Sequence, residues 1–113
     1  MNFKTTQHGA VTVISLQGDL MGVPEAAELN NRVHKLLEAG KNCLVVDLSG
    51  VGFINSSGLG GLIHNGSTLK KAGGRMVIAG ASRKVLELIK VTKLSPVLET
   101  LPGVREAVDS LSR

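Results

Sequence analysis

Apolar positions in this chain switch repeatedly between a two-residue and a three-to-four-residue spacing, and each switch marks the boundary of an element. From Ala10 to Gln17 the spacing is two, with Thr12, Ile14 and Leu16 on one face and Val11, Val13 and Ser15 on the other. This predicts a strand covered at least partly on both sides. Phe3 to Thr6 form a shorter strand before it, and Gln7, His8 and Gly9 between the two predict a hairpin turn. After a loop from Asp19 to Val23 the period lengthens. Pro24 suits the first helical position, Glu25 and Glu28 follow where the helix dipole favours anions, and Leu29, Val33, Leu36 and Leu37 make an apolar stripe that Gly40 is placed to end.

The stretch from Cys43 to Lys71 repeats this alternation in a more concentrated form. Cys43 to Leu48 is an almost continuous apolar run, which predicts a strand buried on both faces, with Ser49 and Gly50 breaking it. Val51 to Ile54 lead out to Asn55, Ser56, Ser57 and Gly58, whose side-chain oxygens can cap a helix. Leu59, Leu62, Ile63 and Leu69 give that helix its apolar stripe. Met76 to Ala79 predict a fourth strand. Ser82 caps a third helix running to Val91, with Val85, Leu86 and Ile89 turned inward. Leu94 to Glu99 predict a weak fifth strand that Pro96 assigns to an edge, and a last helix runs from Pro102 to Leu111 on Val104, Ala107, Val108 and Leu111. The expected fold is α/β, with a mixed central sheet that opens on an N-terminal hairpin and continues as βα units joined by parallel right-handed crossovers, and about four helices.

Glycine is the anomaly in this pattern. Gly58, Gly60, Gly61 and Gly66 fall in or at the start of one helix, and each interior glycine costs about 1 kcal/mol relative to alanine. Two accounts compete: close packing of the helix on its neighbours, or a smooth opening turn against which a partner protein can press.

Composition narrows the chemistry. The 113 residues are expected to form a single domain, residues 1–113, and with only Phe3 and Phe53 aromatic the core must be aliphatic. The N-terminus has no apolar run of signal-peptide length and no stretch approaches a membrane span, so the chain is expected in the cytoplasm. Its net charge of +4 comes from cations scattered from Lys4 to Arg113 without interleaved aromatics, which predicts a solvated basic face rather than a nucleic-acid site. A partner with an acidic surface would fit it as well. Cys43 reads as a small buried hydrophobe, and His8, His34 and His64 have no metal-ligand spacing and read as solvent-exposed. Ser56 is not in a nucleophile elbow, because Ile54 stands where that motif needs glycine, and no phosphate-binding lysine follows the glycines. Neither catalysis nor a bound cofactor or metal is expected. On its position alone Ser56 reads as a helix cap or as part of a surface that a partner can press against.

The run DLSGVGFINSSGLGGL from Asp47 to Leu62, followed by KKAGGRMVIAG from Lys70 to Gly80, resembles the STAS domain, and most closely the bacterial anti-sigma factor antagonists. The resemblance spans nearly the whole chain. It implies phosphorylation at Ser56, with Ser57 as second choice, and a docking face made by Asp19, Leu20, Met21, Gly22 and Val23 together with Asn55, Ser56, Ser57, Gly58, Leu59, Gly60 and Gly61. The implied partners are an anti-sigma factor serine kinase, which would bring ATP and magnesium, and a PP2C-type phosphatase. Direct contact with nucleic acid or membrane is not implied, and the chain would be a monomer or weak dimer. Other STAS domains serve as scaffold pieces of stressosomes or as small subunits of membrane transporters, which gives a second reading. Asn55 stands where the family usually has aspartate, and Met21 where it often has the aspartate of G-x-L-D, so two acidic positions near the serine are neutral here.

Overall fold

Alternating strands and helices build a five-stranded sheet in the order β1-β2-β3-β4-β5, in which β1 and β2 are antiparallel and every later pair is parallel. The computed structural model describes residues 1–93 and 98–112. The elements are β1 (Asn2–His8), β2 (Val11–Gln17), α1 (Val23–Glu38), β3 (Cys43–Gly50), α2 (Ser56–Lys71), β4 (Arg75–Ala79), α3 (Arg83–Val91), β5 (Glu99–Leu101) and α4 (Val104–Leu111). The expected α/β architecture with its opening hairpin is present. Gly9 makes the hairpin turn with φ +61°, a backbone conformation that glycine adopts without strain.

The period-two alternation sorts the two faces of the sheet. Ile14, Leu16, Leu44, Val46, Leu48, Met76 and Ile78 pack with Leu29 and Val33 of α1, Leu59, Leu62 and Leu69 of α2, and Val85 and Ile89 of α3 in one large core. Val11, Val13, Val45, Val77 and Ala79 face the other way, onto Ala107 of α4 with Val104, Val108 and Leu111 alongside. The apolar runs of β3 and β4 are thus written for strands covered on both sides.

Three expectations are corrected. The strand β3 does not stop at Ser49 but continues through Gly50, because Gly50 pairs with Gln17 after a register shift between Ser15 and Gln17. Leu86 points outward at 42% exposure; successive helical residues turn by about 100°, so the inward stripe is Val85, Leu88 and Ile89 instead. Of the predicted fifth strand, Leu94 to Val97 lie outside the described residues, and the observed edge strand begins at Glu99, the last residue of the predicted run.

The glycines of α2 divide between packing and exposure. A methyl group on Gly58 would sit 2.3 Å from the Leu20 carbonyl oxygen, and one on Gly61 would lie 3.1 Å from Ala26 Cβ of α1, while Gly60 faces open space. Close approach explains the first two; nothing in the packing requires the third. Gly58→Ala should therefore destabilise the domain by about 1–3 kcal/mol through overpacking, whereas Gly60→Ala should stabilise it by up to about 1 kcal/mol. Urea denaturation of the two variants checks the contrast.

The edge strand β5 is tied to β4 by Arg75, whose Nε donates to Glu99 Oε1 at 2.7 Å and whose second nitrogen donates to Oε2. Hydrogen bonds from Arg75 hold the Glu99 carboxyl below its ordinary value, outweighing the opposing effect of partial burial. A depressed carboxylate stabilises the fold above its unfolded-state pKa, and this contribution is lost as pH falls through the folded value. Both side chains are about half exposed, so the effect is small. Glu99→Gln should accordingly lower stability slightly at neutral pH, and the difference from wild type should shrink as pH falls below the ordinary glutamate range and vanish below the depressed folded value. Thermal unfolding as a function of pH measures it.

Candidate functional site

The carboxyl ends of β2 and β3 do not diverge after their last regular pair. Gly18 N–H donates to the Gly50 carbonyl at 3.0 Å, Leu20 N–H donates to that of Phe53 at 2.9 Å, and Asn55 N–H donates to that of Leu20 at 3.3 Å. Leu20 and Ile54 thereby form an isolated parallel bridge beyond the strands. The loop before α1 and the loop before α2 run side by side as a result. Leu20 is fully buried and serves as the peg between them.

Asn55 completes the junction with one side chain. Its Oδ1 accepts the Gly58 N–H at 2.9 Å and so caps α2, while its Nδ2 donates to the Met21 carbonyl at 2.7 Å. One amide supplies both the acceptor that a helix start needs and a donor for the neighbouring loop. An aspartate could supply only the first.

With Asn55 as the cap, Ser56 is the first residue of the helix. Its side chain is exposed and its hydroxyl makes no hydrogen bond among the described residues. The reading of Ser56 as a structural cap is excluded by this geometry. Ser57 is also exposed. Around them the surface carries exposed apolar groups, Met21 at 45%, Val23 at 74% and Phe53 at 51%, with Gly60 open to solvent one turn along α2 and the Asp19 carboxylate beside Gly52.

The two segments singled out in the sequence, 19–23 and 55–61, are thus brought together in space. Within them Asp19, Met21, Val23, Ser56, Ser57 and Gly60 are exposed and Asn55, Gly22 and Gly61 half-buried, whereas Leu20, Gly58 and Leu59 are buried and hold the face from behind. Phe53 was absent from the predicted face, yet it presents the largest exposed ring there. Its signal was available: one of two aromatics in the chain, placed in a loop beside Gly52 immediately before a helix start. Charges stay at a distance from the hydroxyl on its own helix, since the first turn of α2 has no acidic residue and its basic residues, Lys70 and Lys71, lie in the last turn.

The histidines at 8, 34 and 64 are exposed, and no group of three or more His, Cys, Asp or Glu among the described residues could hold a metal ion. Cys43 is half-buried beside the smaller core. No helix among the described residues is long and apolar enough to cross a membrane.

Fold and site together define a mixed-sheet α/β domain that presents a serine at a helix start within an apolar rim. Residues 2–107 match the STAS domain, and the chain belongs to that family. Solved structures share its fold at low sequence identity. A candidate anti-sigma factor antagonist from Thermotoga maritima superposes with a TM-score of 0.89 at 21% identity, covering 98% of this chain and 95% of that one. An anti-sigma factor antagonist from Mycobacterium paratuberculosis gives 0.86 at 23% identity, covering 99% and 94%. The Bacillus cell fate determinant SpoIIAA in its phosphorylated form gives 0.74 at 19% identity, covering 96% and 98%.

The dual role of Asn55 makes a graded test. Asn55→Ala should lose both bonds and cost about 1–2 kcal/mol. Asn55→Asp should recover the cap but not the bond to Met21, leaving the α2 start protected and the amides of 21–23 exchanging faster than in wild type. Hydrogen exchange of the two variants separates the effects.

Proposed function

We propose that this chain is an anti-sigma factor antagonist whose binding to a partner serine kinase is switched by phosphorylation of Ser56. The observation that carries the reading is an exposed serine hydroxyl, unbonded among the described residues, at the first position of a helix whose cap is already supplied by Asn55. Membership of the STAS family and a fold shared with antagonists, one of them solved in a phosphorylated form, support it.

The unmodified serine and its apolar rim dock on the kinase, which frees the sigma factor. The kinase holds ATP and magnesium; the Ser56 Oγ attacks the γ-phosphorus, the bond to the ADP oxygen breaks and the hydroxyl proton leaves. The product carries about −1.5 to −2 charges at a helix N-terminus, where free amides and the dipole favour an anion. The domain tolerates the modification for that reason. The interface does not, because a new charge among Met21, Val23 and Phe53 would have to be desolvated on binding. A PP2C-type phosphatase restores the hydroxyl. Nothing in this scheme asks the chain itself for catalysis or a cofactor, and it places the protein in the cytoplasm.

Incubation with a candidate serine kinase and ATP, followed by mass spectrometric localisation, should find one phosphate on Ser56 and none on Ser56→Ala. Phosphate on Ser57 alone would overturn the assignment. Ser56→Asp should weaken kinase binding by at least about tenfold while leaving the thermal midpoint within a few degrees of wild type. Stable association with a membrane transporter or scaffold complex, with no modification, would favour the accessory role that the neutral Asn55 and Met21 leave open.

A further inference from the structure

Between the loop before α2 and the start of α3 is a cleft of about 160 Å³ lined by Gly52, Phe53, Ile54, Lys84, Val85 and Leu88. Its floor is apolar, since Ile54 and Val85 are buried and Leu88 is half-buried, while the exposed Phe53 ring forms one wall. A cavity of about 150 Å³ lined by aliphatic and aromatic side chains holds one benzene molecule, whereas sites for larger ligands begin at roughly 300 Å³. The chain thus presents, side by side, a phenyl ring and a recess of the size of one.

The charges at the rim are balanced. Lys84 is the one charged residue in the lining, and Asp19 Oδ1 would lie 3.4 Å from a methyl group on Gly52, so a carboxylate stands there too. Both side chains are exposed, and neither is ion-paired among the described residues. An occupant bearing charges of a single sign would meet one like charge for each opposite one. A second copy of this chain escapes that conflict, because a two-fold contact sets residue i against j and j against i, and so lets Lys84 of each copy meet Asp19 of the other. The chain carries a net charge of +4, so two copies repel each other overall and approach most readily where the local charges cancel.

We propose that the chain self-associates weakly through this face, as a two-fold pair in which each Phe53 ring enters the other copy's cleft, the two rings pack on one another beside the axis, and two Lys84–Asp19 pairs close the rim. The Phe53 carbonyl already accepts the Leu20 N–H at 2.9 Å, so the backbone presents the ring in a fixed place and little ordering is needed on contact. The footprint is small, which makes the pair transient. It covers the loop that leads to Ser56, and self-association therefore competes with any other molecule that docks beside the serine. To that extent the inference rests on the proposed docking face, but the pair needs neither kinase nor phosphate, and the two can fail separately.

Sedimentation equilibrium of the whole chain over about a hundredfold range of concentration should show a reversible monomer–dimer equilibrium. An NMR dilution series over the same range should move the amides of 52–57 and 84–88 together. Phe53→Ala should weaken association at least about tenfold. Lys84→Asp and Asp19→Lys should each weaken it several-fold by setting like charges against one another, and the double variant should recover most of the loss, because it forms the same pairs with the signs exchanged. Added salt should shrink the defects of the single variants. All three side chains are exposed, so thermal midpoints of dilute samples should match wild type; if that of Phe53→Ala does not, the charge exchange decides. Ser56→Ala should associate like wild type, whether or not a kinase modifies Ser56. A chain that stays monomeric throughout, a double variant no better than the singles, or a dimer whose shifts centre on β1 or on Lys70, Lys71 and Arg75 would overturn the proposal. So would saturable uptake of toluene at these residues with no change in mass, which would give the cleft to a small apolar ligand instead.

Discussion

The site depends on one backbone contact, the seat of Leu20 against the start of α2. The Leu20 carbonyl accepts the Asn55 N–H and comes so close to Gly58 that any side chain there would collide with it. That contact joins two crossover loops that would otherwise be independent, and it is what brings Met21 and Val23 to the same surface as Ser56. Loops are usually the mobile part of an α/β domain. Here a bridge between Leu20 and Ile54 extends the parallel pairing of β2 and β3 beyond their regular ends, so the exposed serine sits on a fixed frame.

The frame also separates tasks that one residue often combines. Asn55 satisfies the helix start and holds the neighbouring loop, Gly58 admits the close approach, and Leu20 fills the space beneath. Ser56 is left without a structural duty. A hydroxyl that holds nothing together can gain or lose a phosphate without a large change in fold stability, and the free-energy change is directed to whatever binds the surface. The neutral Asn55 belongs to the same logic: its amide makes a bond that a carboxylate could not, and it keeps the surroundings of the serine free of an added negative charge.

Away from this face the structure is governed by two-sided burial. The main core lies between the sheet and α1 to α3, and the smaller one beneath α4. Because both faces of β2, β3 and β4 are covered, there is little freedom to shift register, and the carboxyl ends of the strands are held where the loops need them. The edge strand β5 is short and tied by the Arg75–Glu99 pair, as expected for an edge that must not recruit another chain.

Local rules carried much of this protein in its residues. Two-residue alternation announced β2, unbroken apolar runs announced β3 and β4, and Pro24, Ser82 and Gly40 marked helix ends, because spacing and capping act over a few residues and need no partner. The motif around Ser56 was legible only through its resemblance to the STAS family, since spacing alone left packing and partner docking as competing accounts. What the chain could not express locally was which of Asn55, Ser56 and Ser57 would cap the helix, that Leu20 would be buried while Met21 beside it stays exposed, that Leu86 would face out, and why each glycine of α2 is there. Several of those were decided by a neighbour distant in sequence, Met21 for the Asn55 amide, the Leu20 carbonyl for Gly58 and Ala26 for Gly61, while Gly60 meets only solvent and Leu86 is turned out by the helical step itself. Periodicity says how a segment can fold, but only packing between segments far apart in sequence says what a side chain meets.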